Sequence, residues 1–189
     1  MSWTLPTSLD IGGVGFSIRS DFRDILTILK AYNDPDLPDD AKHIVMLQIL
    51  YEDYEKITED DVVEAIEKGI DFIDQGKKED HPRPPVMDWE SDADIIVPAI
   101  NKVAGCEVRS LPYLHWWTFL GYYMEIGEGL FANVLNIRSK KMKGEKLEKW
   151  EKEFERDNKD LIVLKRQESE EEKELRAAEK AALDKLLGI

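Results

Sequence analysis

Apolar residues recur every three or four positions along most of this chain, the period of one face of an α-helix. Phe22, Ile25, Leu26, Leu29 and Tyr32 keep that spacing until Asn33-Asp34-Pro35 stops it. Pro38 suits the first turn of a second helix, with Ile44, Leu47, Leu50, Tyr51 and Tyr54 on one side. Thr58 and Asp61 resemble a capping box with Asp in place of Glu. They open a third helix bearing Val62, Ile66, Ile70 and Ile73, with Gly76 as its stop. The pattern predicts a fourth helix from Trp89 to Ala104, closed by Gly105 and kinked or split by Pro98. Pro112 is read as the start of a fifth, and Leu130 to Ile137 as a short sixth. Between the third and fourth, Lys77 to Pro85 carries charges, prolines and no apolar residue, so a mobile loop is expected there.

Two stretches depart from this regime. Ser8 to Arg19 reads as a short hairpin, with Gly12, Gly13 and Gly15 supplying the positive φ angles of a tight turn. Gly13-x-Gly15 is the nearest approach to a phosphate-binding loop, but no βαβ pattern and no Gly-Lys-Ser/Thr follows it. At the other end, Leu147, Trp150, Phe154, Leu161 and Leu164 form a narrow stripe broken at Asp157, resuming at Leu175, Ala178, Ala182 and Leu186. Glu145–Lys149, Glu148–Lys152, Glu155–Lys159 and Glu172–Arg176 have the favoured i,i+4 order. The expected fold is therefore mainly α: a helical bundle with a small N-terminal β-hairpin and a long amphipathic C-terminal helical arm. Residues 1–137 are read as hairpin plus helical body, and 138–189 as a basic hinge and charged arm.

Charge sharpens this division. The chain of 189 residues has a net charge of −14, which disfavours nucleic acid and anionic membranes as partners. Residues 1–137 hold 11 basic and 26 acidic residues, whereas 138–149 hold six basic and two acidic. That basic run is read as a solvated hinge that the acidic helices neutralise. Cys106 stands alone, and no basic-then-apolar leader opens the chain, so a soluble protein of a reducing cytoplasm is expected.

No catalytic, cofactor-binding or metal-binding set assembles in the sequence, and an enzyme is not expected. His43 lies on a polar helix edge, His81 in the proline loop, and His115 among aromatics as a hydrogen-bonded core histidine. Neither HExxH nor Gly-x-Ser-x-Gly occurs. Asp88, Glu90, Asp92 and Asp94 alternate, which scatters them around a helix; an acidic first turn favoured by the helix dipole accounts for them. The most unusual segment runs from Tyr113 to Ile126 and is apolar nearly all round. A helix of that kind is normally enclosed by other elements, yet Trp and Tyr are also favoured interface anchors. Tyr113, Trp116, Trp117, Phe119 and Tyr123, together with Leu147, Trp150 and Phe154 of the arm, are the candidate partner-binding residues.

Trp89-Glu-Ser-Asp-Ala-Asp-Ile-Ile, Tyr113-Leu-His-Trp-Trp-Thr-Phe-Leu and Ile137-Arg-Ser-Lys-Lys-Met-Lys-Gly-Glu-Lys-Leu-Glu-Lys-Trp-Glu-Lys-Glu-Phe resemble the bacteriophage Gp15 family. Ser8-Leu-Asp-Ile-Gly-Gly to Ser20-Asp-Phe-Arg-Asp-Ile-Leu is similar too, so the resemblance spans nearly the whole chain, thinning in the proline loop and beyond about Lys165. It implies a phage or prophage protein of tail morphogenesis working in the cytoplasm of the bacterial host. The implied role is a tail assembly chaperone that binds and solubilises the tape measure protein. Tail-tube protein and further copies of the chain are its other implied partners. The alternative it leaves open is a structural tail or neck subunit retained in the virion. No catalytic residue is carried over from it.

Overall fold

The computed structural model describes residues 3–77, 85–164, 169–172, 174, 175 and 177. Two strands, β1 (Ser8–Ile11) and β2 (Val14–Ser17), pair antiparallel with Ile11 opposite Val14. Gly12 and Gly13 make the turn at φ 57° and 81°. Gly15 lies within β2 and needs no positive φ, so only two of the three glycines act as expected. The helices are α1 (Phe22–Asn33), α2 (Asp39–Leu50), α3 (Val62–Ile73), α4 (Ala93–Ala104), α5 (Trp116–Met124), α6 (Leu130–Met142), α7 (Lys149–Asp157) and the short α8 (Lys159–Ile162). The fold is mainly α with one N-terminal hairpin. No helix among the described residues is long and apolar enough to cross a membrane.

Several boundaries differ from the sequence reading, each for a physical reason. α2 ends at Leu50, and Tyr51 turns extended so that Ile18 bridges it. Met46 is buried where Ile44 was expected, and Ile44 faces solvent. Thr58 does not cap the backbone. Its hydroxyl donates to the Asp61 carboxylate at 2.7 Å, and a 3-10 turn over Glu59–Asp61 leads into α3. α4 starts at Ala93 and runs unbroken through Pro98 to a left-handed Gly105. α5 starts at Trp116, because Leu114 and His115 are engaged as an extended bridge to Asp21. α6 continues to Met142, so the division expected after Ile137 falls inside a helix. The Lys77–Pro85 loop lies, apart from its two ends, outside the described residues, as does most of the stretch after Leu164.

Helix ends are closed by side chains from distant elements, and this sets the packing. Neither α2 nor α3 has a basic residue in its last turn to meet its unpaired carbonyls. Arg19, just after β2, donates from Nη1 to the carbonyls of Ile49 and Tyr51 at 3.0 Å each, locking the hairpin onto the end of α2. Trp116 and Trp117 donate their indole N–H groups to Ile73 and Phe72 at the end of α3, both at 2.8 Å. Gly69 lets α3 close on α2: a Cβ there would stand 3.1 Å from Leu50 and Met46. At the centre, Phe22 stacks on Phe119 with ring centroids 4.5 Å apart, and Trp116 and Trp89 extend the aromatic cluster.

Candidate interaction surface

The Tyr113–Ile126 segment divides by depth. Trp116 and Phe119 are buried, so neither can touch a partner without opening the core. Trp117 is half-buried with its N–H already given to Phe72, and Tyr123 is half-buried with its hydroxyl on Met87 Sδ at 3.0 Å. Tyr113 is exposed, its hydroxyl hydrogen-bonded to Ser20 Oγ at 2.8 Å. His115 is the buried histidine expected. Its Nδ1 accepts the Trp117 backbone N–H at 3.0 Å, capping α5, which leaves the proton on Nε2 to donate to Pro6 O at 2.9 Å. The His-Trp-Trp triplet thus joins the N-terminal segment, α3 and α5 at one corner.

Within the C-terminal set, Leu147 and Phe154 pack against the core while Trp150 faces solvent. The inward face of α7 passes instead through Glu151, which is 1% exposed. Its carboxylate accepts from Lys140 Nζ at 2.7 and 2.9 Å, from Asn136 Nδ2 at 2.7 Å and from the Glu148 N–H at 2.7 Å. The Lys140 hydrogen bond, then the Glu148 N–H, holds this carboxyl below its ordinary value. Lys141 meets Glu155 alongside. Glu155 therefore pairs across to α6, and Lys159, which the i,i+4 reading assigned to it, lies beyond the end of α7 as the first residue of α8. Of the eight candidate residues, Trp116 and Phe119 are buried, Tyr113 and Trp150 are exposed, and the other four are half-buried.

Arg138 corrects the reading of the basic run as a solvated hinge. It is buried and makes two hydrogen bonds to Asp92, at 2.7 and 2.8 Å. Its remaining N–H groups go to the carbonyls of Val86, Leu161 and Ile162. One guanidinium therefore ties α6 to the start of α4, to the end of the proline loop and to α8. Asp92 and Arg138 are 46 residues apart, and no local pattern pairs them. Two other acids of that stretch are also engaged. Asp88 accepts from Glu90 N and Ser91 N, and Glu90 pairs with Lys30. Among the described residues, no group of three or more His, Cys, Asp or Glu is placed to hold a metal ion.

A groove of about 400 Å³ lies open between α4 and the Glu125–Ala132 segment. Pro98, Ala99, Val103, Ile126, Leu130 and Phe131 give it an apolar lining, and Asp94, Glu125, Glu128 and Lys102 stand at its edge. Sequence reasoning missed it, because Val103 and Leu130 look like ordinary members of two helix stripes. The one local signal was Gly127-Glu128-Gly129, two glycines beside an apolar run.

No curated protein matches the chain. No solved structure matches it either. The family profile described as Bacteriophage Gp15 protein matches residues 1–164, which takes in the hairpin and all eight helices named above. The three segments of the family resemblance coincide with structural joints: Asp92, the His115–Trp117 corner, and Arg138. With the match covering the folded body from end to end, this chain belongs to the bacteriophage Gp15 family.

Proposed function

We propose that the chain is a non-catalytic tail assembly chaperone that binds and solubilises the tape measure protein of its own phage, with tail-tube protein as a second partner. Family membership across residues 1–164 carries this reading. Physical chemistry supports it. A tape measure protein is a long helix with apolar faces that self-associate if uncovered. An acidic helical body with an accessible apolar groove is suited to covering such faces, and its charge of −14 keeps the assembly soluble. Repeated weak contacts along a long partner add avidity without one tight site.

The test is co-expression with the tape measure protein, followed by pull-down and a solubility measurement, alongside mass spectrometry of purified virions. The expected outcome is a soluble complex that persists at about 0.5 M salt, where exposed ion pairs are largely screened. The chain should then be absent from mature particles. Failure to bind the tape measure protein, with fixed-copy presence in the virion, would establish the structural tail or neck subunit instead.

A further inference from the structure

The groove between α4 and the Glu125–Gly129 turn carries three features that describe an occupant. Its long wall is α4 from Asp94 to Val103, about 14 Å at 1.5 Å per residue, the length of roughly two to three turns of a second helix. At Gly127 neither conformation nor packing calls for glycine. The residue has no positive φ, and a Cβ added there meets nothing within 4 Å. Glycine at such a position leaves room for another backbone to come close. At the edge, Asp94, Glu125 and Glu128 face the single base Lys102. Outside its 138–149 run a second copy, at −14 overall, would bring mostly like charge to this rim, whereas basic side chains meet it favourably.

We propose that this groove docks an amphipathic helix whose apolar stripe is flanked by lysine or arginine. The inference rests on the chaperone role and names the kind of tape measure segment the chain covers. Apolar side chains at i, i+3, i+4 and i+7 of that helix enter between Ala99, Val103, Ile126 and Leu130. Its basic flanks lie over Glu125, Glu128 and Asp94. The exposed face of α5 and the α7 tryptophan take no part.

Two synthetic helical peptides test this on the full-length chain, with the same leucine stripe flanked by lysine in one and by glutamate in the other. Fluorescence anisotropy reads their binding. The lysine peptide should bind about tenfold or more tightly than the glutamate peptide at low salt, and this preference should shrink as salt screens the rim. Ala99→Gln with Leu130→Gln, both at accessible positions, should weaken the lysine peptide about tenfold or more, the affinity carried by one buried leucine anchor. Glu125→Lys with Glu128→Lys should abolish the charge preference. Trp150→Ala should change neither. Unaltered melting curves confirm that each variant folds.

Equal binding by the wild type and the Ala99→Gln/Leu130→Gln variant overturns the groove assignment. So does a gain in peptide affinity on Leu175→Glu with Leu186→Glu, which would mean that the chain's own C-terminal stripe fills the groove. A change of oligomeric mass in the groove variants would give the site to a second copy. Pull-down of the tape measure protein by the same variants separates the two proposals. Binding to both wild type and groove variant removes the groove and keeps the chaperone role. No binding to the wild type, with the lysine peptide still lost from the groove variant, keeps the groove and removes that role.

Discussion

Arg138 shows how one side chain can hold three parts of a fold. Its guanidinium is surrounded by acceptors, and Asp92 is buried with it, so each needs the other. Arg138→Ala should cost about 3–5 kcal/mol, because it strands a buried carboxylate. Replacing both members with apolar residues, Arg138→Met with Asp92→Leu, should cost less than the single change. Urea unfolding of the two variants beside the wild type measures both. The tryptophans provide a second contrast. Trp116→Ala should also cost about 3–5 kcal/mol, since the ring is enclosed on all sides. Trp150→Ala should stay within about 0.5 kcal/mol, since that ring is half exposed.

At the scale of elements, α7 is attached to α6 chiefly through charge. Glu151 has its folded-state value depressed, so its contribution is complete above the unfolded carboxyl value of about 4.3 and is lost as pH falls through the lower folded value. Hydrogen-exchange protection across Lys149–Asp157 should therefore fall in acid before that of α1 or α2. In Glu151→Gln, protection should already be reduced at neutral pH and should vary little with acidification. α3 provides a neutral counterpart. Trp117→Phe keeps one aromatic ring but loses the pyrrole ring with its donor to Phe72 O, with an expected cost of about 1 kcal/mol for the hydrogen bond and more for the lost packing. The accompanying change should be faster exchange at Asp74 and Gln75, whose amides bond into that last turn.

Across the whole molecule, the described body is tied together by bonds between remote parts of the chain. Pro6 meets His115 across 109 residues, Asp21 meets Leu114, and Val86 meets Arg138. A body joined in this way should unfold cooperatively. Near-ultraviolet circular dichroism, reporting the Phe22–Trp116–Phe119 cluster, and far-ultraviolet dichroism, reporting the helices, should give coincident urea transitions. Separate midpoints would show instead that the α6–α8 region is an independent unit.

The approximate place of the first six helices was legible in the amino-acid order, because helical periodicity is a local property written into the spacing of apolar side chains; the long arm expected after them is, over Lys149–Ile162, two short helices parted at Asn158. The Gly12-Gly13 turn was legible for the same reason: its backbone angles single out glycine whatever surrounds it. Depth was not legible. Trp116 and Tyr113 look alike in a list of aromatics, yet one is enclosed and the other faces solvent. Arg138 reads as one of six bases until Asp92 arrives from another helix to bury it. Glu151 reads in the sequence as one more acid of a charged arm, but in the fold it is the inward residue because Lys140 and Asn136 stand opposite. The groove was likewise decided by tertiary structure, since an unfilled space belongs to the walls on both sides of it. The sequence by itself determined local geometry, charge and family. Which charges are buried and which apolar faces stay open followed only when remote elements met, because desolvation and pairing depend on the neighbours a side chain finds.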